Sequence, residues 1–132
     1  MTSRALDPIV WIDCEMTGLD SRRDALIEVA VIVTDSDLTP LGEGIDIVIA
    51  PPPGAVDGMN DLVRTMHTKS GLLEELSGGV SMEEATQRVL EYVRGFVPEG
   101  GKAPLAGNSV GTDKVFLERD MPELIEYLHY RI

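Results

Sequence analysis

At 132 residues the chain has room for one hydrophobic core and not two. Its 23 acidic side chains against 11 basic ones give a net charge of −12, which excludes the basic surface needed to hold long duplexes non-specifically. An acidic site neutralised locally by metal ions and working on a small ligand remains compatible. The single cysteine, Cys14, leaves no disulfide framework and no zinc cluster, and a reducing cytoplasm is the expected compartment. Residues 1–7 lack the apolar core of a signal peptide, and no apolar run approaches the roughly 20 residues of a membrane helix, so the expectation is a soluble protein with no membrane partner.

The first element is Ile9-Val10-Trp11-Ile12-Asp13-Cys14-Glu15-Met16, four apolar residues running into two carboxylates two positions apart. As a strand it places Ile9, Trp11, Asp13 and Glu15 on one face and Val10, Ile12 and Cys14 on the other. Apolar residues on both faces predict a central, covered strand. Asp13 and Glu15 then stand roughly 6 to 7 Å apart along its C-terminal end. Acids that close repel unless a proton or cation lies between them. They either dip into solvent at a strand end or hold Mg²⁺ or Mn²⁺, and two such ions roughly 3.5 to 4 Å apart are the usual device for phosphodiester cleavage. Gly18 in the following turn allows a tight bend beside them.

A second strand is predicted over 25–35, and a third over 43–50, joined by short links that imply an antiparallel meander. Glu28 interrupts the second strand and is expected to face water at an edge. Residues 59–77 read as helical with a break at Ser70-Gly71, and His67 within them reads as a surface or internally satisfied histidine. Ser81-Met82-Glu83-Glu84 is a capping-box signature that opens a helix with Met82, Ala85, Val89, Tyr92 or Val93, and Phe96 on its core stripe. Residues 103–107 form a short buried strand, and a helix between two strands implies a parallel crossover. A small-polar loop over 107–113 opens the next helix, with Asp113 in its first turn. There Asp113 either complements the helix dipole or brings a third metal ligand to Asp13 and Glu15. A short helix starts at Met121-Pro122-Glu123. The tail from Leu124 carries six large apolar or aromatic residues, which a monomer has little reason to expose, so association into a dimer or larger assembly is expected.

On Trp11-Ile12-Asp13-Cys14-Glu15-Met16-Thr17-Gly18-Leu19, His67-Thr68-Lys69-Ser70-Gly71-Leu72, Gly107-Asn108-Ser109, Asp113, Met121-Pro122-Glu123-Leu124 and His129-Tyr130-Arg131, the chain resembles the oligoribonucleases of the DEDD 3′-to-5′ exonuclease superfamily. The resemblance implies an α/β, RNase H-like mixed sheet: a three-strand antiparallel meander plus a parallel strand, with flanking helices. It implies a single exonuclease domain over 1–132 that hydrolyses short oligoribonucleotides, from dinucleotides to a few residues, to nucleoside 5′-monophosphates with two Mg²⁺ or Mn²⁺ ions. Asp13, Glu15 and Asp113 match the family's first three metal carboxylates. Leu19 would wedge against the bases, and Leu62 stands where many relatives stack a tryptophan. His67 would lie near the sugar-phosphate, Ser109 and Arg131 would hold the 5′ phosphate, and Tyr130 would reach into the partner's site of a homodimer. The family's general-base histidine and fourth acid come from a later segment with no match here, so the resemblance implies a domain incomplete at its C-terminus and impaired in catalysis. Two other readings stand beside it, a non-catalytic oligonucleotide- or nucleotide-binding module and a proofreading-type DNA exonuclease.

Overall fold

A computed structural model describes residues 7–131; the N-terminal residues read above for targeting, apart from Asp7, and Ile132 lie outside them. Strand β1 (Ile9–Met16) pairs antiparallel with β2 (Leu26–Thr34), which pairs antiparallel with β3 (Ile45–Val48). The fourth strand, β4 (Leu105–Ala106), joins the other side of β1 in parallel, giving the order β3-β2-β1-β4. The meander, the parallel crossover and the central place of β1 all follow the sequence expectation.

Strict alternation governs β1. Val10, Ile12, Cys14 and Met16 are buried, while Ile9, Trp11 and Glu15 are half-buried and Asp13 is exposed. The expectation that both faces of β1 are covered is therefore corrected: one face is core and the other is largely open. Trp11 lies across the open face with its indole Nε1 donating to Thr34 Oγ1 at 2.8 Å, which satisfies its polar end without burying the ring.

Helices cover the core face. Helix α3 (Met82–Phe96) is opened by Ser81, whose hydroxyl accepts from the Glu84 amide at 3.0 Å, and the Glu84 carboxylate reaches Arg88 at 2.6 Å. It buries Ala85, Val89, Leu90 and Val93 against the sheet. Helix α4 (Val110–Asp120) adds Phe116 and Leu117, and α5 (Pro122–Tyr127) adds Leu124. Fully burying each such side chain contributes about 1.5–3 kcal/mol. The tail thus packs inward: Leu124 and Leu128 are buried, and Ile125 and Tyr127 pack on the core. The apolar tail, for which the sequence expects cover by association, is in large part covered within the chain, and among its described residues Tyr130 is the exposed large apolar one, because α5 is amphipathic and its apolar side has α3 and α4 to meet.

A bulge changes the phase of β2. Glu15 lies opposite Glu28 but Met16 lies opposite Leu26, so Ile27 is the extra residue. Leu26 consequently joins the main core with Val29 and Val31, while Ile27 turns to a second cluster with Ala25, Leu72 and Leu76. Helix α1 (Asp61–Ser70) precedes α2 (Leu72–Glu75) and a 3₁₀ turn over Leu76–Gly78, and these last two, with Ala55 and Val56, cover that cluster. The break between the first two helices is Gly71 at φ 86°, a left-handed conformation that only glycine adopts without penalty. No helix among the described residues is long and apolar enough to cross a membrane.

Candidate active site

The C-terminal end of β1 delivers Asp13 and Glu15 to the open face. Helix α4 begins beside it because Gly107 lets β4 run against β1: a Cβ there would collide with the Ile12 carbonyl oxygen. Ser109 follows in a left-handed conformation (φ 53°), and its side chain makes no capping bond, so its hydroxyl is left for other partners. One turn on, Asp113 is buried and its Oδ2 accepts from the Cys14 backbone amide at 3.2 Å. A bond between residues 99 apart fixes the third acid to the peptide between the first two.

Electrostatics at this point follow from crowding. Burial pushes the Glu15 carboxyl above its usual range, His67 opposes that shift and the Asp13 charge adds to it. Asp113 is likewise raised, first by burial and then by Asp13 and Glu15, against the lowering effect of the Cys14 amide. Burial also pushes the Cys14 thiol up, with the same acids contributing, so it is no thiolate nucleophile. None of the three acids is ion-paired to a lysine or arginine among the described residues. Such a surplus of carboxylate oxygen is the donor set of Mg²⁺ or Mn²⁺, and a divalent cation would relieve the repulsion recorded in the raised carboxyls. As they stand, however, no three acids, histidines or cysteines among the described residues converge closely enough to enclose one ion.

Glu15 and Asp113 line a cleft of about 360 Å³ together with Cys14, Met16, Gly18, Leu19, Val63, Met66, Ser109 and Thr112. Asp13 lines the adjoining depression of about 450 Å³ on the open face, beside Trp11, Ile32 and Asn108. The structure therefore brings together Glu15, Asp113, Leu19 and Ser109, with Asp13 at the border. Leu62 does not line the cleft and is 80% exposed. His67 is 1% exposed and faces inward, its Nε2 2.8 Å from the Met16 carbonyl oxygen. Tyr130 and Arg131 are on the tail: the His129 and Tyr130 rings stack at 4.5 Å, the Arg131 guanidinium carbon lies 5.5 Å from the Tyr130 ring centre, and Lys114 Nζ reaches the Tyr130 carbonyl at 3.5 Å.

Glu28 is not at an edge. It sits on the middle strand, half-buried, with its pKa raised to about 7 by burial, a hydrogen bond with Asp46, and the charges of Asp46, Glu15 and Glu75. The register is the reason: Glu28 follows the regular alternation of β2 on the open face opposite Glu15, and β3 pairs on its other side at Val48. Sequence reading also missed Val63, Met66 and Arg119. The first two form the apolar wall of the cleft across from the acids, and their spacing of three on α1 is the signal that could have found them. Arg119 donates to the carbonyls of Ser21 and Asp24 at 2.5 and 2.8 Å, tying the loop after Leu19 to α4, and no local pattern announces it.

Residues 10–132 match the family model RNase_T, described as Exonuclease. The chain is 64% identical over 126 residues to an oligoribonuclease of Streptomyces griseus, covering 96% of this chain and 63% of that protein. To an oligoribonuclease of Cutibacterium acnes it is 59% identical over 123 residues, covering 93% and 61%. The chain thus spans about three fifths of the length of the curated relatives it matches. Among solved structures it resembles exonuclease I of Methylocaldum szegediense (TM-score 0.58, 24% identity, 86% of this chain and 24% of that one). It also resembles the E. coli exonuclease I–ssDNA complex (TM-score 0.61, 19% identity, 88% and 24%). These last two establish the architecture, an exonuclease-type RNase H-like fold.

Proposed function

The chain belongs to the RNase_T exonuclease family, and from that premise we propose that it is the acid-bearing domain of a 3′-to-5′ exoribonuclease that trims short oligoribonucleotides to nucleoside 5′-monophosphates. The observation that carries this reading is the Asp113 carboxylate bonded to the Cys14 amide, between Asp13 and Glu15. Those three acids would hold the divalent ions, Mg²⁺ or Mn²⁺, after small side-chain rotations. Ions in such a site polarise a phosphodiester and acidify water. The chain's own residues do the positioning. Leu19, Val63 and Met66 offer an apolar slot for a base opposite the acids. Ser109, at the start of α4, presents a free hydroxyl near amides that favour an anion. Arg131 would close on a 5′ phosphate, and Tyr130, 74% exposed, would contact a second copy in a homodimer. The buried free thiol of Cys14 suits a reducing cytoplasm.

One observation favours the second reading, a non-catalytic nucleotide-binding module: the acids do not by themselves enclose an ion. The test is release of mononucleotides from a 5′-phosphorylated RNA dinucleotide with Mn²⁺. The 132-residue chain is expected to bind the dinucleotide and to turn it over only in traces, well below the ordinary enzymatic range of about 1–10³ per second. Those traces should disappear in Asp13→Asn. Binding with no Asp13-dependent cleavage at all selects the binding module; preference for single-stranded DNA selects the proofreading-type activity. Full turnover would show that His67 or His129 supplies the base.

A further inference from the structure

His67 is the single buried residue of α1. The rest of the helix is half-buried or exposed, and its two ends are closed locally by Asn60, whose side chain accepts from the Val63 amide, and by Gly71. Arg64 reaches back to the Val56 carbonyl in the preceding loop. Yet α1 carries Val63 and Met66, the apolar wall of the cleft, and something must hold that wall at a fixed distance from the acids. The bond from His67 Nε2 to the Met16 carbonyl at 2.8 Å is the link the described residues provide. A carbonyl only accepts, so Nε2 carries the proton. Met16 lies at the bulge, directly after Glu15 and directly before Thr17, whose amide and hydroxyl are both engaged with Ala25.

We infer that His67 is a positioning residue: by donating to the Met16 carbonyl it pins α1 to the end of β1 and so fixes both the spacing of the cleft walls and the direction of the Glu15 carboxylate. The inference rests on the reading of this cleft as a metal-dependent nucleotide site, and it replaces a role in touching substrate. Removal of the donor leaves the wall to drift and the peptide after Glu15 to rotate, since an irregular strand end has fewer ladder bonds to restrain it.

The experiment compares His67→Gln, whose amide nitrogen sits where Nε2 does, with His67→Asn, which is too short to reach. Two readouts are taken on the full chain: amide hydrogen exchange at Thr17 and Asp20, with Val31 and Val89 as references, and Mn²⁺ affinity by titration. His67→Asn is expected to speed exchange at Thr17 and Asp20 by about tenfold and to weaken Mn²⁺ by a similar factor. His67→Gln should stay within about threefold of the parent chain in both, with Val31 and Val89 unchanged in either variant. The inference is overturned if His67→Asn leaves Thr17 and Asp20 unchanged, if Gln fails as badly as Asn, or if Val31 and Val89 accelerate equally, which marks a merely structural histidine. A parent chain that binds no Mn²⁺ overturns the metal reading of the cleft, and the exchange data then decide the role of His67 alone.

Discussion

The two faces of the same sheet behave as different materials. On one, Val10, Ile12, Val29, Val31 and Val33 are closed over by α3, α4 and α5 in a continuous apolar cluster. On the other, Trp11, Asp13, Glu15, Glu28 and Asp46 share a surface that is half open and rich in like charge, with the Glu15 and Glu28 carboxyls raised. A period of two lets one strand serve both: stability is concentrated on the covered face, and the open face carries a repulsive arrangement that a fold organised for stability alone would have neutralised.

The largest effects should come from the covered face. Phe116→Ala, at a fully buried site, is expected to lose about 3–5 kcal/mol in urea unfolding followed by circular dichroism. Trp11→Ala, removing a larger ring from the open face, should lose clearly less, and equal losses would break the contrast between the faces. Next comes the seam between strand and helix. Gly107→Ala drives a methyl group into the Ile12 carbonyl and should cost about 1–3 kcal/mol, because both partners are backbone and the two-residue β4 must give way. Helix content from α3 should survive it.

Smaller in energy, but sharper as a distinction, is Glu15→Gln. It should weaken Mn²⁺ at least about tenfold, roughly 1.4 kcal/mol, while the unfolding midpoint at pH 8 stays level or rises. A drop in both would mean that the acids of the open face are structural. The smallest effect concerns Glu28. Its folded pKa of about 7 lies above the usual carboxylate value, so the folded state binds the extra proton; stability is greatest below the unfolded pKa and declines as pH rises from about 4.5 to 7. Solvent screening at this half-buried site limits the decline to ~1 kcal/mol or less. In Glu28→Gln, measured with chelator present, that slope should disappear, and an unchanged pH profile would remove Glu28 from the repulsive cluster.

Much of the molecule was legible in the chain itself. Ser81 three residues before Glu84, Gly71 after a helical run, and the β-branched stretch around Val29 are local signals, and their elements stand where those signals put them. The resemblance to oligoribonucleases was likewise readable from short motifs, and Asp113 was identified as a candidate partner of Asp13 and Glu15. What local pattern could not decide was phase, cover and direction. Glu28 faces Glu15, and the Ile27 bulge turns Ile27 away from the main core, both matters of register between two strands. The tail's leucines are buried because α5 finds α3 and α4, which lie more than twenty residues and one turn away respectively. His67 turns inward, and Leu62 outward, because of where α1 meets the end of β1. Each of these outcomes depends on contacts distant in sequence, whose free energies are fixed only when the packed partners exist, whereas caps, turns and alternation act within a few residues and are therefore written in the chain.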